Sequence, residues 1–325
     1  MERSRPEGVD PRRLRILHAT AEAGGIAAAA RTLGLTSSAV SQQLARLERE
    51  AGLPLLDRTG GRAELTAAGR LLAASGARIG EELAQVEREL AALSTRATGP
   101  VVIGAPPAVI ADVGVSAVRL LAHTHPGLRP ALVESGPRDG LHGLRLGALD
   151  VLVLADDRDQ PVPLPAGVGA MLLLEDEYRL VVPDAWETPA HPADLAGRPW
   201  VDAPPDSARG RALARFAALH GLVTGGGHQA HSNLSVQALV AGGLGAAILP
   251  AFTAGRLLHA TVTGIPVPGQ YLLRALHHGS RPTPAVRATL AALQHALLVA
   301  ADAAARDGWL RRDPVVRRLT DPSEE

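Results

Sequence analysis

The chain has 325 residues, 46% of them hydrophobic, and its 33 basic and 33 acidic residues balance to a formal net charge of zero. At roughly 100–200 residues per domain, this length predicts about two soluble globular domains. No uncharged apolar run reaches the roughly 18–20 residues of a membrane span, and the N-terminus lacks the apolar stretch of a secretion signal. We therefore expect a cytoplasmic protein with no membrane partner. Cysteine is absent, which excludes disulfides, thiolate metal sites and cysteine nucleophiles.

The neutral average conceals a basic N-terminal end. Between Arg3 and Arg78 the arginines outnumber the acidic residues, and the chain contains no lysine at all. A local excess of positive charge is the electrostatic footprint expected of a nucleic-acid-binding region. In this basic region, Asp10 and Pro11 predict the start of a first helix, as an N-cap followed by proline at the first helical position.

A helix-turn-helix is predicted next. Ala30, Gly34 and Val40 have its spacing: a small residue where two helices touch, a glycine able to take the turn, and an apolar residue that locks the second helix. Thr36 or Ser37 can cap that second helix, because a hydroxyl oxygen there accepts a hydrogen bond from an otherwise unpaired backbone N–H. Taken alone, this spacing also fits an ordinary alanine-rich helix pair.

The second helix has two distinct faces. Val40, Leu44 and Leu47 recur at helical spacing and form its buried stripe. Short or amide-bearing side chains occupy the other face around the first two turns, the part of a recognition helix that meets base edges in the major groove. The candidate DNA-binding residues of this helix are Thr36, Ser37, Ser38, Ser41, Gln42, Gln43 and Arg46.

A short hairpin wing follows, with Arg58 and a turn at Gly60-Gly61-Arg62, and then a new helix from Leu65-Thr66. The whole block resembles the N-terminal winged helix of LysR-type transcriptional regulators, whose pattern of paired alanines, "AVS", "LE", "G.PL..R" and "LT.AG" is matched in order. The resemblance implies binding to double-stranded operator DNA, with Arg58 and Arg62 as phosphate contacts. Leu56, where the family usually has phenylalanine, and Gln42 and Ser38, where arginine and proline are common, leave the recognised base sequence open.

One long helix is predicted from Thr66 to about Ser94. A seven-residue repeat of apolar or small residues runs along it in two registers, Leu72, Ile79, Val86 and Leu93 in one and Gly76, Leu83 and Leu90 in the other. Such a stripe favours a helix that pairs with its own copy, and the family's linker helix does dimerise the DNA-binding halves. The alternative is a helix packed on its own domain.

Beyond Thr98-Gly99-Pro100 the pattern alternates between short apolar strands and amphipathic helices, from Val101–Gly104 to the helix Pro284–Ala301. This alternation predicts a parallel sheet with helices on both faces. The elements group into two similar α/β lobes, joined by crossings near 156–162 and 261–267, with a hinged cleft between them. The phrases "HPG", "G.LD" and "AGGLGAAILP" resemble the periplasmic-binding-protein-like effector domain of the same family.

The predicted organisation is therefore an N-terminal winged helix-turn-helix, a dimerising linker helix and a two-lobed α/β effector domain. The expected boundaries are 1–69 for the DNA-binding domain, 70–98 for the linker and 99–305 for the effector domain, followed by a tail at 306–325. The first lobe comprises about 99–160 and 266–305, and the second about 161–265.

Ligands of such folds lie at the carboxyl ends of the strands, where helix N-termini present free N–H groups. Three loops qualify, and they supply the candidate effector-binding residues Pro107, Ala108, Ser135, Pro137, Ser207, Arg209 and Ser232. The proline after the first strand weakens anion binding at that end, because proline has no N–H to donate. A small molecule held by Ser207, Arg209 and Ser232 and by apolar contacts is therefore expected.

No catalytic constellation is found. His228 and His231 have a metal-ligand spacing, yet no third ligand is evident nearby, and the motifs of serine hydrolases and of phosphate-binding loops are missing. We expect no enzyme activity and no cofactor. Two functions remain: a DNA-binding regulator of the LysR type that responds to a small molecule, forms a homodimer or homotetramer and has RNA polymerase as a further partner, or a small-molecule binding protein whose N-terminal helices serve oligomerisation.

Overall fold

The computed structural model describes residues 9–57, 64–92, 96–225, 227–254, 259–279 and 281–306. Its contacts divide the chain into two compact units, Met1–Leu90 and Ala91–Glu325. Four predicted features lie outside the described residues. They are Arg58 and the wing turn with Arg62, the predicted last turn of the linker helix at Leu93 and Ser94, and the C-terminal tail from 307 onward.

Three helices begin the first unit: α1 (Pro11–Glu22), α2 (Ile26–Leu33) and α3 (Ser37–Ala51). Both predicted caps are confirmed, since Asp10 Oδ1 accepts from Arg12 N at 2.9 Å and Thr36 Oγ1 accepts from Ala39 N at 3.2 Å. Gly34 ends α2 with φ of 65°, a left-handed conformation that favours glycine. The predicted stripe of α3 is fully buried in a core of Leu14, Leu17, Ala30, Val40, Leu44, Leu47, Leu55, Leu56 and Ala73.

A two-stranded wing follows the helices. Strands β1 (Leu56–Asp57) and β2 (Glu64–Leu65) pair in antiparallel register. Glu48 Oε1 accepts from Leu55 N at 2.8 Å and from Leu56 N at 3.1 Å, which attaches the base of the wing to α3. Leu56 is buried and belongs to the core of the first unit.

The long helix α4 (Ala67–Ala92) begins where it was predicted, with Thr66 Oγ1 accepting from Gly69 N at 3.0 Å. The two halves of its apolar stripe, however, have different surroundings. Leu72 and Ile79 pack against the core of the first unit, and Gly76 lies directly against the backbone of Leu14. Assigning these three residues to a dimer seam is therefore corrected, because they pack on their own domain.

Among the described residues of the stripe, those of the second half are exposed. Leu83, Val86 and Leu90 have exposed fractions of 48%, 50% and 63%. These three side chains are available to pair with another surface, whereas the residues one or two turns earlier are already covered.

The second unit contains strands β3 (Gly99–Ala105), β4 (Leu128–Glu134), β5 (Val151–Asp157), β6 (Val168–Pro183), β7 (Val201–Asp202), β8 (His228–Gln229), β9 (Ala247–Pro250) and β10 (Ala260–His278). Six of them form one sheet in the order β4-β3-β5-β10-β6-β9. Strand β3 is parallel to β4 and β5, but β10 is antiparallel to β5 and β6, and β6 is antiparallel to β9. The prediction of a parallel sheet is thus wrong for half of the sheet, because two long strands return through it in opposite directions.

The helices of this unit are α5 (Pro107–Val109), which continues through a π-helical turn (Ile110–Gly114) into α6 (Val115–Thr124), then α7 (Pro137–Arg145), a 3-10 turn (Pro192–Leu195), α8 (Ala208–His220), α9 (Asn233–Ala241), α10 (Ala251–Ala254) and α11 (Pro284–Arg306). Helix α11 is long and apolar enough to cross a membrane, but half of its most apolar stretch is buried inside the protein. Its Leu290, Leu293 and Leu297 pack in the same core as Leu121 of α6.

Two lobes share the long strands. In lobe 1, Leu173 and Leu174 of β6 and Leu273 of β10 pack in the core that contains α6 and α11. In lobe 2, Tyr178 of β6 and Val267 of β10 pack with the residues of α8. The chain therefore crosses between lobes inside β6, between Leu174 and Tyr178, and inside β10, between Val267 and Leu273.

The predicted crossing at 156–162 is corrected. Val162 packs with Leu152 and Leu154 in lobe 1, so the chain has not yet left that lobe. The crossing predicted at 261–267 lies within β10 and precedes the real one. The structure crosses between the lobes in two continuous strands, β6 and β10, which pair with each other along both lobes.

Candidate functional site

The polar face of α3 is the first candidate site. Thr36, Ser37, Ser38, Gln42 and Arg46 are exposed, and Ser41 is half-buried. These side chains surround the first turns of the helix, while its opposite face is held in the core. The face therefore presents hydroxyl, amide and guanidinium groups that match the hydrogen-bonding groups of base edges.

Gln43 stands apart from the other candidates. It is half-buried, and its Oε1 accepts from Arg13 Nε of α1 at 3.0 Å. Arg13 is itself buried and forms a close ion pair with Glu50 of α3, which Arg46 Nε also approaches at 3.7 Å. Since a bidentate contact with adenine needs both the carbonyl and the amino group of a glutamine, the position of Gln43 suits it for joining α1 to α3.

The sequence did not reveal this contact. Arg13 and Gln43 are 30 residues apart on different helices, and neither has a periodic or motif signal that pairs it with the other. The remaining candidates, Arg58 and Arg62, lie outside the described residues.

The second candidate site is a cleft of about 640 Å³ between the two lobes of the second unit. Its walls are the carboxyl ends of β3, β4 and β5 on one side and the loops before α8 and α9 on the other. Five of the predicted effector-binding residues line it: Pro107, Ser135, Pro137, Ser207 and Ser232. A back pocket of about 100 Å³ shares part of this wall and is also lined by the other two, Ala108 and Arg209.

Two of the three serines in the cleft serve as helix caps. Ser207 Oγ accepts from Gly210 N at 3.0 Å and donates to Pro204 O at 2.7 Å. Ser232 Oγ accepts from Ser235 N at 3.1 Å. Ser135, whose Oγ makes only a long contact of 3.3 Å with Gly136 O, has the hydroxyl that is least committed to the fold.

Arg209 is the buried charge of this site. Only 7% of it is exposed, and its Nη2 donates to Ala230 O at 2.8 Å. Its Nη1 is buried without a hydrogen-bond partner among the described residues. Burial lowers the pKa of Arg209 to about 10, because a low-dielectric environment disfavours the charged form. The guanidinium nevertheless stays protonated at neutral pH.

A cluster of ion pairs behind the cleft was not predicted. Asp156 and Asp157, fully buried at the end of β5, accept from arginines of α8 in the opposite lobe. Arg211 Nη2 donates to Asp156 at 2.8 Å, and Arg215 donates twice to Asp157 at 3.0 and 3.1 Å. The cluster ties one wall of the cleft to the other.

The pKa of Asp157 reflects two opposing effects. Burial alone raises it, but the hydrogen bonds from Arg215 and from the hydroxyl of Tyr178 outweigh burial and lower it below 3.8. Asp157 is therefore ionised across the physiological range. Arg274 of β10 makes a close ion pair with Asp156, which completes the charge compensation.

Two family models match this chain. Residues 11–70 match the model for the bacterial regulatory helix-turn-helix protein of the lysR family, and residues 94–298 match the LysR substrate binding domain. The chain belongs to the LysR family. It is a DNA-binding transcriptional regulator with an effector-binding domain and, like other members, forms oligomers.

Individual relatives agree with this assignment. The chain is 26% identical over 295 residues to the HTH-type transcriptional regulator CbbR of Rhodospirillum rubrum, covering 88% of this chain and 96% of the relative. It is 29% identical over 185 residues to a probable hydrogen peroxide-inducible genes activator of Mycobacterium leprae, covering 57% of this chain and 56% of the relative. Full-length CbnR, solved in a complex with its target DNA, has the same fold, with a TM-score of 0.56, 20% identity and coverage of 88% and 99% of the two chains.

Proposed function

We propose that this LysR-family regulator reads its operator with the exposed face of α3. The base-reading groups are Ser37, Ser38, Ser41, Gln42 and Arg46, Thr36 caps the helix beside them, and Arg58 and Arg62 of the wing contact phosphates. The observation that carries the proposal is the two-sided character of α3, whose apolar side is fully buried while its hydroxyl and amide groups are exposed. This exposure disfavours the alternative in which the N-terminal helices serve only oligomerisation.

The test compares the two neighbouring glutamines. Gln42→Ala removes an exposed amide, so it should weaken binding to the operator by roughly 1–3 kcal/mol, with little effect on random DNA. Gln43→Ala removes the bond to Arg13, so it should lower the unfolding free energy by about 1 kcal/mol. The operator is first selected from a random DNA pool with the wild-type chain, and binding is then measured against salt concentration. Equal losses on operator and random DNA for Gln42→Ala would remove this residue from base recognition.

The interlobe cleft is the proposed effector site. Its volume falls within the range of about 300–1,000 Å³ that small-molecule sites occupy, and the cluster of Asp156, Asp157, Arg211 and Arg215 behind it links the lobes that a ligand would draw together. The chain acts in the cytoplasm, without catalysis, and pairs through the exposed half of α4. Oxidation of a thiol is not its signal, since the chain contains no cysteine.

A further inference from the structure

The back pocket of the cleft contains a positive charge that the protein leaves unpaired. Arg209 lines the pocket, forms no ion pair with any described carboxylate, and has one donor group, Nη1, without a partner. Burying a guanidinium in this way is unfavourable unless a negative group compensates it. A second donor of Arg209, Nη2, bonds the backbone carbonyl of Ala230, which is neutral.

Two helix N-termini meet at the same pocket. Ser207, Ala208 and Arg209 belong to the start of α8, of 13 residues, and Ser232 and Asn233 to the start of α9, of 9 residues. The first backbone N–H groups of a helix have no acceptor within that helix and carry a partial positive charge. A pocket of about 100 Å³, a few times the volume of a water molecule, therefore offers one full and two partial positive charges to a small anionic group.

The outer part of the cleft has the opposite charge. Glu134, Asp139 and Asp206 line it, and their carboxylates form no ion pair with any described residue. Among the described residues that line the cleft, His231 is the only basic one. The rest of the lining is largely apolar and includes the strand residues Leu152, Val153 and Leu154 together with prolines.

We infer that the effector is an amphoteric small molecule of the amino-carboxylate class, which rests on the cleft being the effector site as proposed above. Its carboxylate lies in the back pocket on Arg209 and the starts of α8 and α9. Its ammonium group faces Glu134 and Asp139, and an aliphatic segment covers the apolar floor. A single uncompensated positive charge matches a monoanionic carboxylate better than a dianionic phosphate.

The probes for the test are matched in length and differ only in their end groups. Calorimetric titrations of the full-length protein use γ-aminobutyrate, δ-aminovalerate and ε-aminocaproate beside the alkanoates, dicarboxylates and alkylamines with the same number of carbons. At least one amino-carboxylate should bind about tenfold or more tightly than the dicarboxylate and the amine of its length. Equal affinity for dicarboxylate and amino-carboxylate, or no saturable binding by any probe, would overturn the inference.

Two variants test the two ends of the ligand one at a time. Arg209→Met should weaken binding of every carboxylate probe at least about tenfold without lowering the melting temperature of the ligand-free protein, since it removes an unpaired buried charge. Asp139→Arg should reverse the preference, so that the dicarboxylate binds more tightly than the amino-carboxylate. A protein that merely misfolds cannot gain affinity for a dicarboxylate, and unchanged selectivity in Asp139→Arg would contradict the role of the rim.

Matched controls lie outside the cleft. Arg287→Gln and Glu187→Gln remove a positive and a negative charge from exposed positions and should leave probe binding within about twofold. Operator binding is measured on all variants in parallel. If wild type and Arg209→Met bind the operator equally but no amino-carboxylate binds, the ligand class is wrong and the regulator assignment stands; if wild type selects no operator, the proposed function itself fails.

Discussion

Two glycines on α4 allow a sharp test of how the DNA-binding unit holds this helix. An added Cβ at Gly76 would lie 2.4 Å from Leu14 O and 2.7 Å from Leu14 C, whereas a Cβ at Gly80 would meet nothing within 4 Å. Both residues are helical and one turn apart, so alanine has the same intrinsic effect at each position. Gly76→Ala should therefore lower the stability of the unit, and Gly80→Ala should raise it.

The magnitude follows from the two contributions. Replacing glycine with alanine inside a helix is worth about 1 kcal/mol. At Gly76 this gain is opposed by overpacking against backbone atoms, which cannot rotate away, so α1 and α4 must separate by roughly 0.8 Å at a cost of about 1–3 kcal/mol. We expect Gly76→Ala to destabilise the unit by about 1 kcal/mol and Gly80→Ala to stabilise it by about the same amount. For a unit of about 80 residues, the two melting temperatures should then differ by about 8–16 °C.

Differential scanning calorimetry of the full-length protein measures this difference, and loss of operator binding on heating identifies the transition of the first unit. Higher stability in Gly76→Ala than in wild type would refute the close packing of α4 on α1. It would also indicate that Gly76 belongs to the stripe that pairs with a copy of α4, where a larger side chain could add to a helix–helix contact. Lower stability in Gly80→Ala would show that its surroundings are filled, as they would be if the helix paired with a copy at that level.

Three further outcomes are expected. Asp157→Asn should destabilise the effector domain by about 1.5–3 kcal/mol in urea, because the half-buried Arg215 loses its two hydrogen bonds to a buried carboxylate, whereas the same change at the half-exposed Asp159 should cost less than about 1 kcal/mol. Burial raises the pKa of Asp176 from 3.8 to about 6, so the folded protein binds that proton more tightly than the unfolded chain. The contribution of Asp176 to stability should fall by about 3 kcal/mol as pH rises from about 3 to about 7, and the unfolding free energy measured in urea should lose this much more over that range in wild type than in Asp176→Asn. Glutamates at Leu83 and Leu90 should release monomers in light scattering, and an unchanged mass would assign the exposed half of α4 to another role.

The sequence predicted local structure better than long-range geometry. The caps at Asp10 and Thr36 and the stripe of Val40, Leu44 and Leu47 depend on neighbouring residues, and all were confirmed. The antiparallel half of the sheet was missed, because β6 and β10 each serve two lobes and strand direction has no local signature. The sequence does not show that β6 is one long strand, because Glu175, Asp176 and Glu177 interrupt its apolar pattern where it crosses between lobes.

For the site residues, too, the sequence predicted position in the chain better than contacts between distant segments. The loops at the carboxyl ends of the strands could be placed from the order of the elements, and all seven candidates do line the cleft or its back pocket. What each side chain does there depends on contacts between distant segments. Arg209 reaches the carbonyl of Ala230, and Arg215 reaches Asp157, 58 residues away; neither contact follows from spacing.

The capping roles of Ser207 and Ser232 restrict how this regulator can change its signal during evolution. A substitution at either position alters the ligand environment and removes a helix cap, at a typical cost of about 1 kcal/mol. Ser135, Asp139 and His231 touch the same cleft without holding a helix end, so they can vary without that cost. Relatives that respond to new molecules should therefore diverge first at these three positions, while the two capping serines remain hydroxyl residues across changes of effector.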